Sequence, residues 1–201
     1  GLPLELLLKS CIVELLEKEV VPGWSKVRSG AGREGFIHTV NLRERKEDDG
    51  YLSEKNTEGK GYFHAMRQRL AVEEETFRER IKESALEYMG TQYRWGGKSS
   101  QGIDCSGLTF MSYLNSGLLI YRDASIREEF PVSPVKQEDL KTGDLIFFPG
   151  HVALYLGNGK YIHSTGYVKT PYVTINSLRE EDEDYREDLA QKITGCGSVF
   201  I

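Results

Sequence analysis

The stretch that decides the fold is residues 140–164, LKTGDLIFFPGHVALYLGNGKYIHS. Lys141-Thr142-Gly143-Asp144 has the composition of a turn, and Leu145 to Phe148 is an unbroken apolar strand. Pro149-Gly150 then turns the chain into a hairpin whose tip is Gly157-Asn158-Gly159. Two registers are open. A two-residue Asn158-Gly159 turn pairs Leu154 with His163, places His151 and His163 on opposite faces, and buries His163 among Val152, Leu154 and Leu156. A three-residue loop, with Gly159 in the left-handed position of a G1 bulge, pairs Ala153 with His163 instead. Val152, Leu154, Leu156 and Ile162 then share an apolar face, and His151, Ala153, Tyr155, Tyr161 and His163 share the other. That clean segregation favours the odd loop. It makes the two imidazoles diagonal neighbours with only the small Ala153 between them.

Upstream, residues 93–107 read YRWGGKSSQGIDCSG and lead into LTFMSYLNSG, where Leu108, Met111 and Leu114 recur at helical spacing. Cys105 therefore falls in the first turn of a helix, where unpaired backbone N–H groups and the positive end of the dipole favour a thiolate. A thiolate nucleophile needs an imidazole to take and return a proton, and a third group to fix that ring's tautomer. Cys105, His151 and His163 fit nucleophile, base and orienter. Two histidines and a cysteine on zinc is the rival arrangement, but it lacks a fourth ligand and consumes the thiol. His38 and His64 stand alone in their segments and read as structural.

Further out, Phe77, Ile81, Ala85 and Tyr88, with Leu86 and Met89 beside them, form the stripe of an amphipathic helix that Gly90 closes. Residues 62–75 extend it with poor apolar spacing, and 91–101 read as loop. A helix followed by an antiparallel sheet indicates an α+β domain. Residues 1–42 read as short strands around the turns at Pro22-Gly23 and SGAGREG, four or five strands suggesting a small barrel. Residues 43–60 (RERKEDDGYLSEKNTEGK) read as linker. The expected division is 1–45, a small β domain; 46–75, linker or excursion; and 76–201, the catalytic domain.

Composition excludes several classes of function. The 201 residues carry 26 Lys and Arg against 31 Asp and Glu, a net charge of −5. That imbalance lies in residues 179–188, REEDEDYRED, which read as a solvated excursion. A basic excess for nucleic-acid binding is missing, and the apolar runs fall far short of the roughly 20 residues of a membrane span. Cys11, Cys105 and Cys196 show no CxxC or Cys/His ligand spacing, so neither a disulfide framework nor a structural zinc site is expected. The beginning, GLPLELLLKSC, lacks a signal-peptide pattern, which fits a cytoplasmic location; a secreted or periplasmic enzyme with its presequence removed would look the same.

On YRWGGKSSQGIDCSG and LKTGDLIFFPGHVALYLGNGKYIHS, in that order and spacing, the second domain resembles the NlpC family of papain-like cysteine peptidases, which hydrolyse bacterial cell-wall peptides. The resemblance implies a catalytic helix packed on an antiparallel sheet, with Cys105, His151 and His163 as the catalytic set, Tyr93 as the active-site tyrosine, and no metal or cofactor. GWSKVRSGAGREGFIHTVNL resembles the last strands of bacterial SH3-like domains attached to cell-wall enzymes. Together they resemble the subgroup that cuts γ-D-glutamyl to diamino-acid bonds in short murein peptides with a free N-terminal L-Ala. There, the resemblance implies, Asp104 binds the substrate ammonium and Ser106 frames the pocket. Trp95-Gly96-Gly97 would pack backbone against the site, with Trp95 at the substrate. The alternative role of Asp104 is a helix N-cap. An amidase of the same fold and a non-catalytic wall-binding protein are the alternatives.

Overall fold

In the computed structural model the described residues are 7, 11–29, 32–44, 60–128 and 130–200. The chain divides into two units, Gly1–Ser53 and Glu54–Ile201.

In the first unit, Pro22 and Gly23 reverse the chain from β1 (Val13–Val21) into β2 (Trp24–Ser29), with Gly23 at φ +79°. β3 (Glu34–His38) completes an antiparallel sheet of order β1-β2-β3. Arg28 spans it, with Nη1 2.7 Å from Glu14 and Nη2 2.7 Å from Glu34. His38 stacks on Trp24 with ring centroids 3.7 Å apart. Among the described residues this unit has three strands. Residues 1–6, 8–10, 30, 31 and 45 of the expected β domain lie outside them.

The second unit opens with α1 (Lys60–Leu86), which is interrupted by non-helical backbone at Glu73. This helix begins inside the segment expected as linker, whose residues 46–59 lie outside the described residues. Phe77, Ile81, Ala85 and Tyr88 are buried as their spacing predicts, and Leu70 extends the stripe. Leu86 and Met89, expected beside them, are exposed because they fall off the i, i+4 line. Gly90, at φ +76°, ends the turn that follows. The expected loop 91–101 is tied down by a short ribbon, β4 (Lys98–Ser99) and β5 (Gly102–Ile103).

α2 (Cys105–Asn115) is buried over most of its surface, packed between α1 and the main sheet. The sheet also contains β6 (Ser133–Val135), β7 (Leu145–Phe148), β8 (His151–Gly157), β9 (Lys160–Ser164), β10 (Val173–Ser177) and β11 (Gly195–Ser198). Its order is β10-β9-β8-β7-β11-β6, antiparallel throughout. Pro134 is tolerated because β6 is an edge strand. The far face is filled by Ile146, Phe148, Ala153, Tyr161 and Cys196, with Leu178, Leu189 and Ile193 packed over them. One buried ion pair joins α1 to this sheet. Arg78 Nη1 lies 2.9 Å from Asp144 Oδ1 and donates to Thr142 O at 2.7 Å, while Nε reaches Glu74 at 2.8 Å.

The hairpin corrects the loop but keeps the faces. Leu154 pairs with Ile162 and Tyr155 with Tyr161, the register in which the two histidines share a side. At the tip, however, Gly157 pairs with Lys160, and Asn158 (φ 52°) and Gly159 (φ 77°) are both left-handed, as in a two-residue type I′ turn. The odd residue is absorbed in β8, between Tyr155 and Gly157, so the bulge lies in the strand instead of the loop.

Candidate active site

Asp104 caps α2. Its Oδ1 accepts from Gly107 N at 2.6 Å, the geometry of an N-cap. The loop before it crosses so closely that neither Gly97 nor Gly107 has room for a Cβ. At Gly107 the new atom would strike the Gly97 carbonyl, and at Gly97 the Gly102 carbonyl. Gly96 N donates to Asp104 Oδ2 at 2.7 Å. Arg122 then adds its charge, with Nη2 3.1 Å from Oδ1 and 3.2 Å from Oδ2, while Nη1 donates to Ser106 Oγ at 2.7 Å. With two backbone donors and a guanidinium on it, the 6%-exposed carboxylate has little acceptor capacity left over.

Cys105 follows directly and is buried. The backbone N–H groups of Val152, Ser106 and Cys105 itself lie near its sulfur and pull its pKa down, but burial, the largest effect, and the Asp104 charge outweigh them and the pKa is raised. The helix-start N–H groups act in the expected direction, favouring the thiolate, and desolvation opposes them more strongly.

The Val152 contact brings the thiol to the start of β8, next to His151. His151 Nε2 and His163 Nδ1 are 2.8 Å apart, and His163 Nε2 is 3.0 Å from Asn176 Oδ1. Asn176 is oriented by its other end, since Nδ2 donates to the Asp184 carbonyl at 2.8 Å. An amide oxygen only accepts, so His163 carries its proton on Nε2, its Nδ1 accepts from His151 Nε2–H, and His151 Nδ1 is left with a free lone pair. Burial lowers the pKa of both rings. The Arg186 charge adds to this at His151, and His151 and Arg186 add at His163. Burial thus favours the uncharged form of each of these three groups.

Tyr93 joins the group. It is half-buried, its ring packs over Gly166, and burial raises its pKa, with Cys105 and Asp104 near enough to add to the effect. Ser106 is buried on Arg122. Trp95 is 85% exposed. Zinc does not suit the donor set, because both nitrogens of His163 are already committed. The structure adds Arg122 and Asn176, which the sequence reading passed over. An arginine in the apolar LLIYRDAS, shortly after the cysteine helix, was the available signal for the first. Asn176 carries none, as one polar residue in a mixed strand.

Residues 90–186 match the NlpC/P60 family. Dipeptidyl-peptidase 6 of Lysinibacillus sphaericus is 52% identical over 128 residues, 64% of this chain and 46% of that protein. Gamma-D-glutamyl-L-lysine dipeptidyl-peptidase of Bacillus cereus is 41% identical over 85 residues, 38% of this chain and 25% of that protein. The chain thus spans less than half the length of either relative. A solved NlpC/P60 family protein from Bacillus cereus has the same fold, with a TM-score of 0.59 at 22% identity, covering 94% of this chain and 54% of that one.

Proposed function

We propose that this protein is a cysteine peptidase that hydrolyses the γ-D-glutamyl to diamino-acid bond of short murein peptides bearing a free N-terminal L-Ala. The observation that carries the reading is the hydrogen-bonded chain from Asn176 through His163 to His151, which leaves the Nδ1 lone pair of His151 available on the strand whose Val152 N–H reaches Cys105. Relatives named as dipeptidyl-peptidases, one of them for γ-D-glutamyl-L-lysine, support the choice of bond.

In this mechanism His151 Nδ1 takes the thiol proton as Cys105 attacks the γ-carbonyl carbon of D-Glu, so the ion pair forms only with substrate in place. The backbone N–H of Cys105 and the hydroxyl of Tyr93 meet the oxyanion. When the C–N bond breaks, the imidazolium returns its proton to the leaving amine and a thioester remains. Water, deprotonated by the same nitrogen, attacks the thioester; L-Ala-D-Glu departs and the thiol regains its proton. Asp104 receives the substrate ammonium in partial exchange for Arg122, and Ser106 frames that pocket. Trp95, at the rim, closes over bound peptide. We read residues 1–45 as the SH3-like module that limits substrates to short peptides.

The deciding experiment supplies L-Ala-γ-D-Glu-diamino acid-D-Ala and weighs the products. Release of L-Ala-D-Glu is expected. Free L-Ala would point to an amidase, and an intact peptide to a wall-binding protein. Supplying intact murein alongside tests the limit on substrate size.

A further inference from the structure

The acidic run 179–188 does not float in solvent. Tyr185 forms a parallel bridge with Ser177, Ser177 N donates to Asp184 O at 3.1 Å, and Arg186 N donates to Ser177 O at 3.4 Å. Two carboxylates are clamped by one lysine on β9, with Lys160 Nζ 2.8 Å from Asp182 and 2.6 Å from Asp184. Asp182 also accepts from Ser177 Oγ at 2.6 Å. Leu178 before the run and Leu189 at its end pack into the core, so both ends are anchored. The run is a strap along the outer edge of β10, and what it presents inward is the Asp184 carbonyl.

That carbonyl settles which way Asn176 points. With Nδ2 donating to Asp184 O at 2.8 Å, Oδ1 must face His163. Were the amide reversed, its NH₂ would face His163 Nε2, which would then have to accept. The proton of His163 would move to Nδ1, His151 Nε2 would accept it, and His151 Nδ1 would carry the hydrogen. The base nitrogen of the reaction would be blocked. We propose that the acidic segment 179–186 is a positioning strap for this site, and that Asn176 is the positioning residue through which the Asp184 carbonyl sets the proton placement on His163 and hence on His151.

The inference rests on the reading of His151 as base, so it is tested by a readout that needs no substrate. Side-chain ¹⁵N NMR of the full chain near neutral pH is expected to show both rings as Nε2–H tautomers. Asn176→Leu removes donor and acceptor at a half-buried site, and His163 should become a tautomer mixture. Asn176→Asp retains an acceptor toward His163 and should restore the Nε2–H form. Lys160→Met, which frees Asp182 and Asp184, should give a partial mixture. Against peptide, Asn176→Leu should lower kcat on the order of 10–100-fold with KM nearly unchanged, the scale of a misplaced catalytic group. Unchanged histidine tautomers in folded Asn176→Leu overturn the proposal whether or not the peptide is cleaved. Altered tautomers in a chain that cleaves no peptide support the strap while removing the peptidase reading.

Discussion

Arg122 holds Asp104 with nitrogen to oxygen distances of 3.1 and 3.2 Å, so the carboxylate next to the nucleophile is already paired before any substrate arrives. An incoming ammonium competes with a guanidinium for the same oxygens. Arg122→Met should therefore lower KM for peptides with a free N-terminus by about two- to fivefold, the worth of a partly exposed pair. N-acetylated peptides should show no such gain. A rise in KM for the free peptide would make Arg122 part of the ammonium pocket.

Asp104→Asn separates the two effects of that charge. The carboxylate raises the Cys105 pKa, so its neutralisation should lower that pKa and speed alkylation of Cys105 by iodoacetamide at neutral pH. Affinity for the substrate ammonium should fall, with KM rising about 10–100-fold. Unchanged alkylation with intact helix content would show that burial alone governs the thiol.

His163 should act through hydrogen bonding. His163→Gln retains an acceptor for His151 Nε2–H, whereas His163→Phe does not. Loss of kcat on the order of 10²-fold or more in the Phe variant, with partial recovery in the Gln variant, is the expected order. Equal losses in both would assign His163 to packing.

Acid should unfold the second unit through the buried rings. The His151 pKa falls from its ordinary 6.5 to about 4, and that of His163 is also lowered. Below about 6.5 the unfolded chain binds protons that the folded chain refuses. Stability is thus fully present above that pH and is lost as pH falls toward about 4. Urea midpoints at pH 7 and pH 5 should differ, and less so in His163→Gln. An equal difference in that variant would move the acid sensitivity elsewhere.

The Arg78 and Asp144 side chains are 5% and 2% exposed, and removing one leaves the other charge buried. Arg78→Met should cost about 3–5 kcal/mol in urea unfolding, while the pair of changes Arg78→Met with Asp144→Leu should cost much less. A small loss in the single variant would mean that water reaches Asp144.

Alternation along residues 151–163 was enough to put both histidines on one side of the hairpin, because a half-specified register flips every side chain if it slips by one. The position of the bulge was not legible, since Leu156 and Gly157 can each absorb the odd residue without changing the faces. Cys105 and its cap Asp104 were legible from local chemistry alone. Asn176 and Arg122 were not, because each becomes meaningful only when distant chain is folded onto it. The acidic run misled for a related reason. Charge density predicts solvation, and the inward-facing group of this segment is a backbone carbonyl, which composition does not register.

β11 enters the main sheet between β7 and β6, and β6 has no other neighbour there. Cys105, His151 and His163 all precede β11 in the chain, so they are made before the strand that fills that slot. Among the described residues the strand furthest along the chain is thus the one that joins β6 to β7, and pairing across about fifty residues is slow to form. Closing the sheet therefore waits on a pairing far along the chain from Cys105, so the reactive residues are written into the sequence ahead of the strand that completes their scaffold.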